Sequence, residues 1–162
     1  MRRMLVFITI LALALPMAAR AQGKPDFSGT WTLDQSKSDP PPQRGGGGGR
    51  GGFGGGGGTQ TIKQSGSELS VTTEGRGGQQ TMTYKLDGSE STNKVMGRGG
   101  EMEAKSKARW DGSKLVIETT RDMGGNMVTA TETRSLSADS KEMTVELSLN
   151  GNTRKMVYTK GM

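Results

Sequence analysis

The chain has 162 residues, 22 Lys+Arg against 16 Asp+Glu for a formal net charge of +6, and neither cysteine nor histidine. Those two absences exclude disulfides, Cys/His nucleophiles and the Ser-His-Asp triad, and remove the commonest ligands of zinc, copper and haem. The length suits one domain.

Arg2 and Arg3, the apolar run Met4 to Leu15 and the small residues of Ala19-Arg20-Ala21 form the three parts of a secretory signal peptide over 1–21. The alternative, a buried N-terminal helix, needs a polar face that Leu5-Val6-Phe7-Ile8 does not provide. The run is well short of the roughly 20 residues that cross a bilayer, and no later segment is continuously apolar, so no membrane anchor is expected. Removing the first 21 of the 162 residues leaves 141, and the loss of Arg2, Arg3 and Arg20 takes the charge from +6 to +3. A charge that small is not the clustered basic face that nucleic acid demands. The expected product is a periplasmic or secreted monomer, 22–162, with no nucleic-acid partner.

Within it, Phe27-Ser28-Gly29-Thr30-Trp31-Thr32-Leu33-Asp34 alternates, with Phe27, Gly29, Trp31 and Leu33 on one side. Period two reads as a half-buried strand. Pro40 to Pro42 and the glycines from Gly45 to Gly58 follow, a composition that cannot offset the entropy of ordering its backbone. Residues 39–58 are therefore expected to be a disordered loop inside the domain.

Beyond Thr59, turn signals recur between alternating segments, the pattern of a meander, sandwich or barrel. Asp87-Gly88, Asp111-Gly112 and Asn150-Gly151 are tight hairpin pairs, and Gly66-Ser67, 75–78, 97–100 and Gly124-Gly125 mark looser turns. The strands between them fall at 59–65, 68–74, 79–86, 91–96, 101–110, 113–122, 126–136, 141–149 and 152–160. With the first, that makes about ten, joined by connections too short for crossovers and so antiparallel to their neighbours. Met102, Ala104, Ser106, Ala108 and Trp110 share one face, as do Met82, Tyr84 and Leu86, and Met143, Val145, Leu147 and Leu149. Inward residues this small either pack two sheets closely or enclose a cavity. The fold class is all-β and antiparallel, an up-and-down meander that forms either a sandwich or a barrel.

Phe27-x-Gly29-x-Trp31, the ten strands, Trp110-Asp111-Gly112 at a hairpin and the closing Val157-Tyr158-Thr159-Lys160 resemble the calycin group, lipocalins and fatty-acid-binding proteins. Asp26 to Trp31 followed by Lys37-Ser38-Asp39 is also similar to secreted bacterial lipocalin-like proteins of unassigned function. The resemblance implies a closed barrel that binds a small hydrophobic or amphipathic molecule. Where the fatty-acid-binding branch inserts two helices after its first strand, this chain has Pro40 to Pro42 and glycine. That branch's carboxylate site, an Arg-x-Tyr in the last strand and a second Arg, maps onto Met156-x-Tyr158 and Thr119. Arg154 and Arg121 lie two residues from those positions on the same strand faces.

By parity Arg154, Met156 and Tyr158 share a face, and a buried Arg beside a Tyr hydroxyl holds a carboxylate through charge-assisted hydrogen bonds. Alternatively Arg154 reaches solvent at the strand's open end. Trp31 reads as core, and Trp110 as core or as a stacking surface for the ligand. The eleven methionines are scattered without a Met-x-x-Met cluster, so they read as core filler and no metal or other cofactor is expected. Arg50-Gly51-Gly52-Phe53 imitates an RNA-binding segment with too few arginines and aromatics, and the glycine tract lacks the context of a phosphate loop. Glu101, Glu103, Glu118 and Glu132 are the remaining catalytic candidates, but Glu101 and Glu103 fall on the solvent face and no catalytic residue is assigned. The sequence thus points to a non-enzymatic, exported, lipocalin-like ligand carrier with Arg154, Met156, Tyr158, Arg121 and Trp110 at its site. A structural or protein-interaction module with a filled interior is the alternative.

Overall fold

Alternating segments joined by tight turns can satisfy their backbone only by pairing sideways. The computed structural model describes residues 23–40, 58–75, 78–97 and 100–161. Its strands are β1 (Gly29–Asp34), β2 (Thr59–Gln64), β3 (Glu68–Gly75), β4 (Gly78–Lys85), β5 (Glu90–Gly97), β6 (Gly100–Asp111), β7 (Lys114–Asp122), β8 (Met127–Leu136), β9 (Glu142–Leu149) and β10 (Asn152–Lys160). No helix occurs among the described residues. The proposed leader, 1–21, and 41–57 of the expected loop lie outside them.

One ten-stranded antiparallel sheet runs β4-β3-β2-β1-β10-β9-β8-β7-β6-β5, so β1 closes against both β2 and β10. The tight-turn dipeptides behave as expected, with positive φ at Gly88, Gly112, Asn150 and Gly151. Segment 34–39 extends the pairing beyond β1: the Asp39 N–H donates to the Lys155 carbonyl at 2.9 Å, and the Lys155 N–H donates to Asp39 Oδ2 at 2.7 Å. Asp39 is thus anchored on β10, although the sequence puts it in the loop.

One pairing departs from the expectation. A short turn joins β4 to β5, yet the two strands form the opposite edges of the sheet. Between them, inward-facing side chains of β5 replace the ladder. Asn93 Oδ1 accepts from the Thr83 N–H at 2.8 Å, Asn93 Nδ2 donates to the Thr83 carbonyl at 2.9 Å, and Ser91 Oγ accepts from the Lys85 N–H at 2.9 Å. Val95 takes the next inward position and has no hydrogen-bonding group, so the bridging stops there. The barrel is nearly closed, with a seam stitched at its lower half.

The core of the base is apolar. Phe27, Trp31, Ile62, Leu69, Leu115, Met143 and Tyr158 are almost fully buried. The Trp31 indole donates to the Phe27 carbonyl at 2.8 Å, which satisfies its polar edge, and Lys160 lies over the ring at 5.3 Å. Gly29 makes room for that lysine: its φ is +137°, and an added Cβ would sit 2.8 Å from Lys160 Cε.

Candidate functional site

Turns at 64–68, 85–90, 111–114 and 136–142 lie at the base. At the opposite end, the mouth, β3 meets β4, β5 meets β6, β7 meets β8 and β9 meets β10, and β1 ends and β2 begins there. Toward the mouth the inward residues Met82, Met102, Val128, Leu147 and Leu149 become partly exposed. Among the described residues, the exposed large apolar side chains Met96, Met123 and Met127 also lie there.

A polar network crosses the barrel above the apolar base. Glu132 and Arg134 come from adjacent inward positions of β8, which puts both on one face and joins them in a buried ion pair. Arg134 Nη1 also donates to Gln60 Oε1 at 3.0 Å and lies 3.9 Å from Met143 Sδ. Burial works against the Arg134 charge, but Glu132 beside it more than compensates, and the guanidinium's proton affinity ends above its ordinary value. Burial, reinforced by the Glu132 carboxylate, raises the pKa of Tyr84. Burial likewise raises that of Tyr158, despite the neighbouring Arg134. Both phenols remain neutral donors. Burial lowers the pKa of Arg121, which lies 3.9 Å from Met82 Sδ through Nη2.

Arg121, Met156 and Tyr158 are buried inside the barrel, as the sequence reading requires. Arg154 is half-buried, its Nε is sealed from water without a hydrogen-bond partner, and its charge bears on Tyr158. Its Nε is thus enclosed while the rest of the residue keeps contact with solvent. Trp110 does not join these residues. It pairs with Leu115 at one end of β7, whereas Arg121 lies near the other, about six residues or roughly 20 Å away at about 3.3 Å per residue.

Glu132 appears in the sequence only as a possible catalytic carboxylate, and Gln60 and Arg134 carried no assignment. Their signal was parity. Val128, Ala130 and Leu136 share the even face of β8, so Glu132 and Arg134 had to point inward with them. Locked against Arg134, Glu132 serves as an internal counter-ion, while Glu101, Glu103 and Glu118 are exposed. No group of three or more His, Cys, Asp or Glu capable of holding a metal gathers among the described residues.

The space bounded by Met82, Tyr84, Ile117, Thr119, Arg121, Ala130, Glu132 and Leu147 has a volume of ≈ 10 Å³, about what one water needs.

The sequence matches no protein-family model and no curated protein. Its fold does match solved structures. The REP1-NXSQ fatty acid transporter aligns over 83% of this chain and 96% of its own, with TM-score 0.55 and 14% identity. Human cRBP IV, a cellular retinol-binding protein, aligns over 85% of this chain and 99% of its own, with TM-score 0.55 and 17% identity. The fold of this chain is thus the nearly closed antiparallel barrel that these two proteins share. At such identities the likeness concerns the backbone alone. The inward residues of this chain must therefore carry the functional argument.

Proposed function

We propose that the chain is an exported, non-enzymatic binding protein that takes a small amphipathic anion into its barrel through the mouth. The observation that carries this reading is the interior charge. Among the described residues, the guanidinium groups of Arg134 and Arg154 face inward, against the single carboxylate of Glu132. Excess positive charge away from water is costly unless an anion accompanies it. A carboxylate-type head group near Arg154 and Tyr158 would supply that counter-charge and an acceptor for the Arg154 Nε. The names of the two neighbours, a fatty acid transporter and a retinol-binding protein, agree with a lipid-like ligand.

The tail has no preformed room in a space of ≈ 10 Å³. Binding therefore requires Met82 and Leu147 to swing aside. Both are already half-exposed toward the mouth, and the unbranched methionine adapts readily. That same lack of room favours a second reading, a protein-interaction module with no ligand. Mass spectrometry of small molecules released from protein purified out of its native compartment separates the two. An amphipathic acid at near-stoichiometric yield supports the carrier, and its absence supports the module. Export itself rests on the three-part leader and is tested by N-terminal sequencing, which should begin at or near Gln22.

A further inference from the structure

Met82 occupies an inward position of β4 toward the mouth, and its thioether sulfur accepts from two side chains. The Tyr84 hydroxyl donates to Sδ at 3.4 Å and Arg121 Nη2 at 3.9 Å. Tyr84 is the next inward residue of the same strand, and Arg121 comes from β7. A thioether is a weak acceptor. Two donors, one of them charged, therefore offer more hydrogen bonding than the sulfur uses.

Two other inward sulfurs have similar neighbours. Met143 Sδ lies 3.9 Å from Arg134 Nη1, and Met156 Sδ lies 3.9 Å from the Tyr158 hydroxyl. Met143 and Met156 are 0% and 1% exposed, so a solute in water does not reach them. Met82 is half-buried, and it borders the space of ≈ 10 Å³ whose walls also include Tyr84, Thr119 and Arg121. That is room for about one water, next to both donors.

We infer that Met82 is a site of reversible oxidation, taking one oxygen atom from a peroxide to become the sulfoxide. The sulfur lone pair attacks one oxygen of hydrogen peroxide, the O–O bond breaks as the S–O bond forms, and the second oxygen leaves with both protons as water. Sulfur gives up two electrons and the peroxide takes them. Negative charge develops on the peroxide oxygens in the transition state and remains on the sulfoxide oxygen, where the Arg121 guanidinium and the Tyr84 hydroxyl stabilise it. The transferred oxygen enters the ≈ 10 Å³ space and accepts from the donors that the sulfur held weakly. Reductases dedicated to methionine sulfoxide restore the thioether. The site stands whether or not the barrel takes a ligand.

Met102 is the matched comparison. It too is half-buried and faces inward toward the mouth, from β6, and among the described residues its sulfur has no Arg or Tyr donor. Timed exposure of the folded protein to dilute hydrogen peroxide, read by peptide mass spectrometry at each methionine, tests the inference. Met82 should oxidise about tenfold faster than Met102, the scale of one charge-assisted hydrogen bond. In Arg121→Leu and in Tyr84→Phe it should slow toward the Met102 rate, while the exposed Met96 and Met127 keep theirs. Met143 and Met156 should stay unreacted, which reports in the same experiment that each variant is folded. The comparison within the parent needs no variant, so it decides even where a substitution loosens the barrel. Equal rates at Met82 and Met102 in the parent, or a Met82 rate unchanged in both folded variants, would overturn the inference.

Discussion

Asn93 grips Thr83 across the β4–β5 seam with a reciprocal pair of hydrogen bonds, its side-chain amide standing in for a rung of the missing ladder. Replacing it with alanine removes both bonds and exposes two backbone groups of an edge strand. Asn93→Ala should lower unfolding stability by about 1–3 kcal/mol, two bonds at about 0.5–1.5 each. Hydrogen exchange at the Thr83 amide should accelerate more than exchange in β7 or β8. An unchanged denaturation midpoint would show that the seam does not depend on this contact.

Glu132 and Arg134 are both below a tenth exposed, so each neutralises a charge that water cannot reach. Glu132→Ala leaves Arg134 buried without its counter-ion and should cost about 3–5 kcal/mol, whereas a double replacement by apolar residues of similar volume should cost far less. Urea unfolding of the single and double variants measures the difference. A double variant as unstable as the single one would mean that packing, not charge, explains the pair.

Tyr84 and Tyr158 both have raised pKa values in the folded state. In the unfolded chain they ionise near the ordinary value of 10.0, while in the barrel they keep their protons to higher pH. The unfolded state therefore binds fewer protons above pH 10, so their contribution is complete below that value and is lost as pH rises toward the folded values. The melting temperature should fall between pH 9 and 11, and fall less in Tyr84→Phe. A Tyr84→Phe variant with the same alkaline slope as the parent would contradict this.

Most strand boundaries were legible because alternation and glycine-containing turns are local signals: the expected 152–160 is β10, and 101–110 differs from β6 by one residue at each end. Trp31 was legible as core for the same reason. The seam was not, since nothing in Leu86 to Asn93 distinguishes a ladder from a side-chain bridge. Trp110 was grouped with the site as a stacking surface, but residue type says nothing of a side chain's height along the barrel. Glu132 was weighed only as a catalytic carboxylate and Arg134 not at all, although the parity of β8 turns both inward.

The central claim, an anionic head group held in the barrel by its inward cations, is tested most directly by titrating a fluorescent fatty acid into the parent protein, Arg154→Ala and Lys155→Ala. Arg154 is half-buried with its Nε sealed inside, and Lys155, one residue on, is exposed on the opposite face. Saturable binding should weaken by about 1.5–3 kcal/mol in Arg154→Ala, the range for a hydrogen bond to a charged group, and remain nearly unchanged in Lys155→Ala. Equal effects at both positions, or no saturable binding in the parent, would contradict the account.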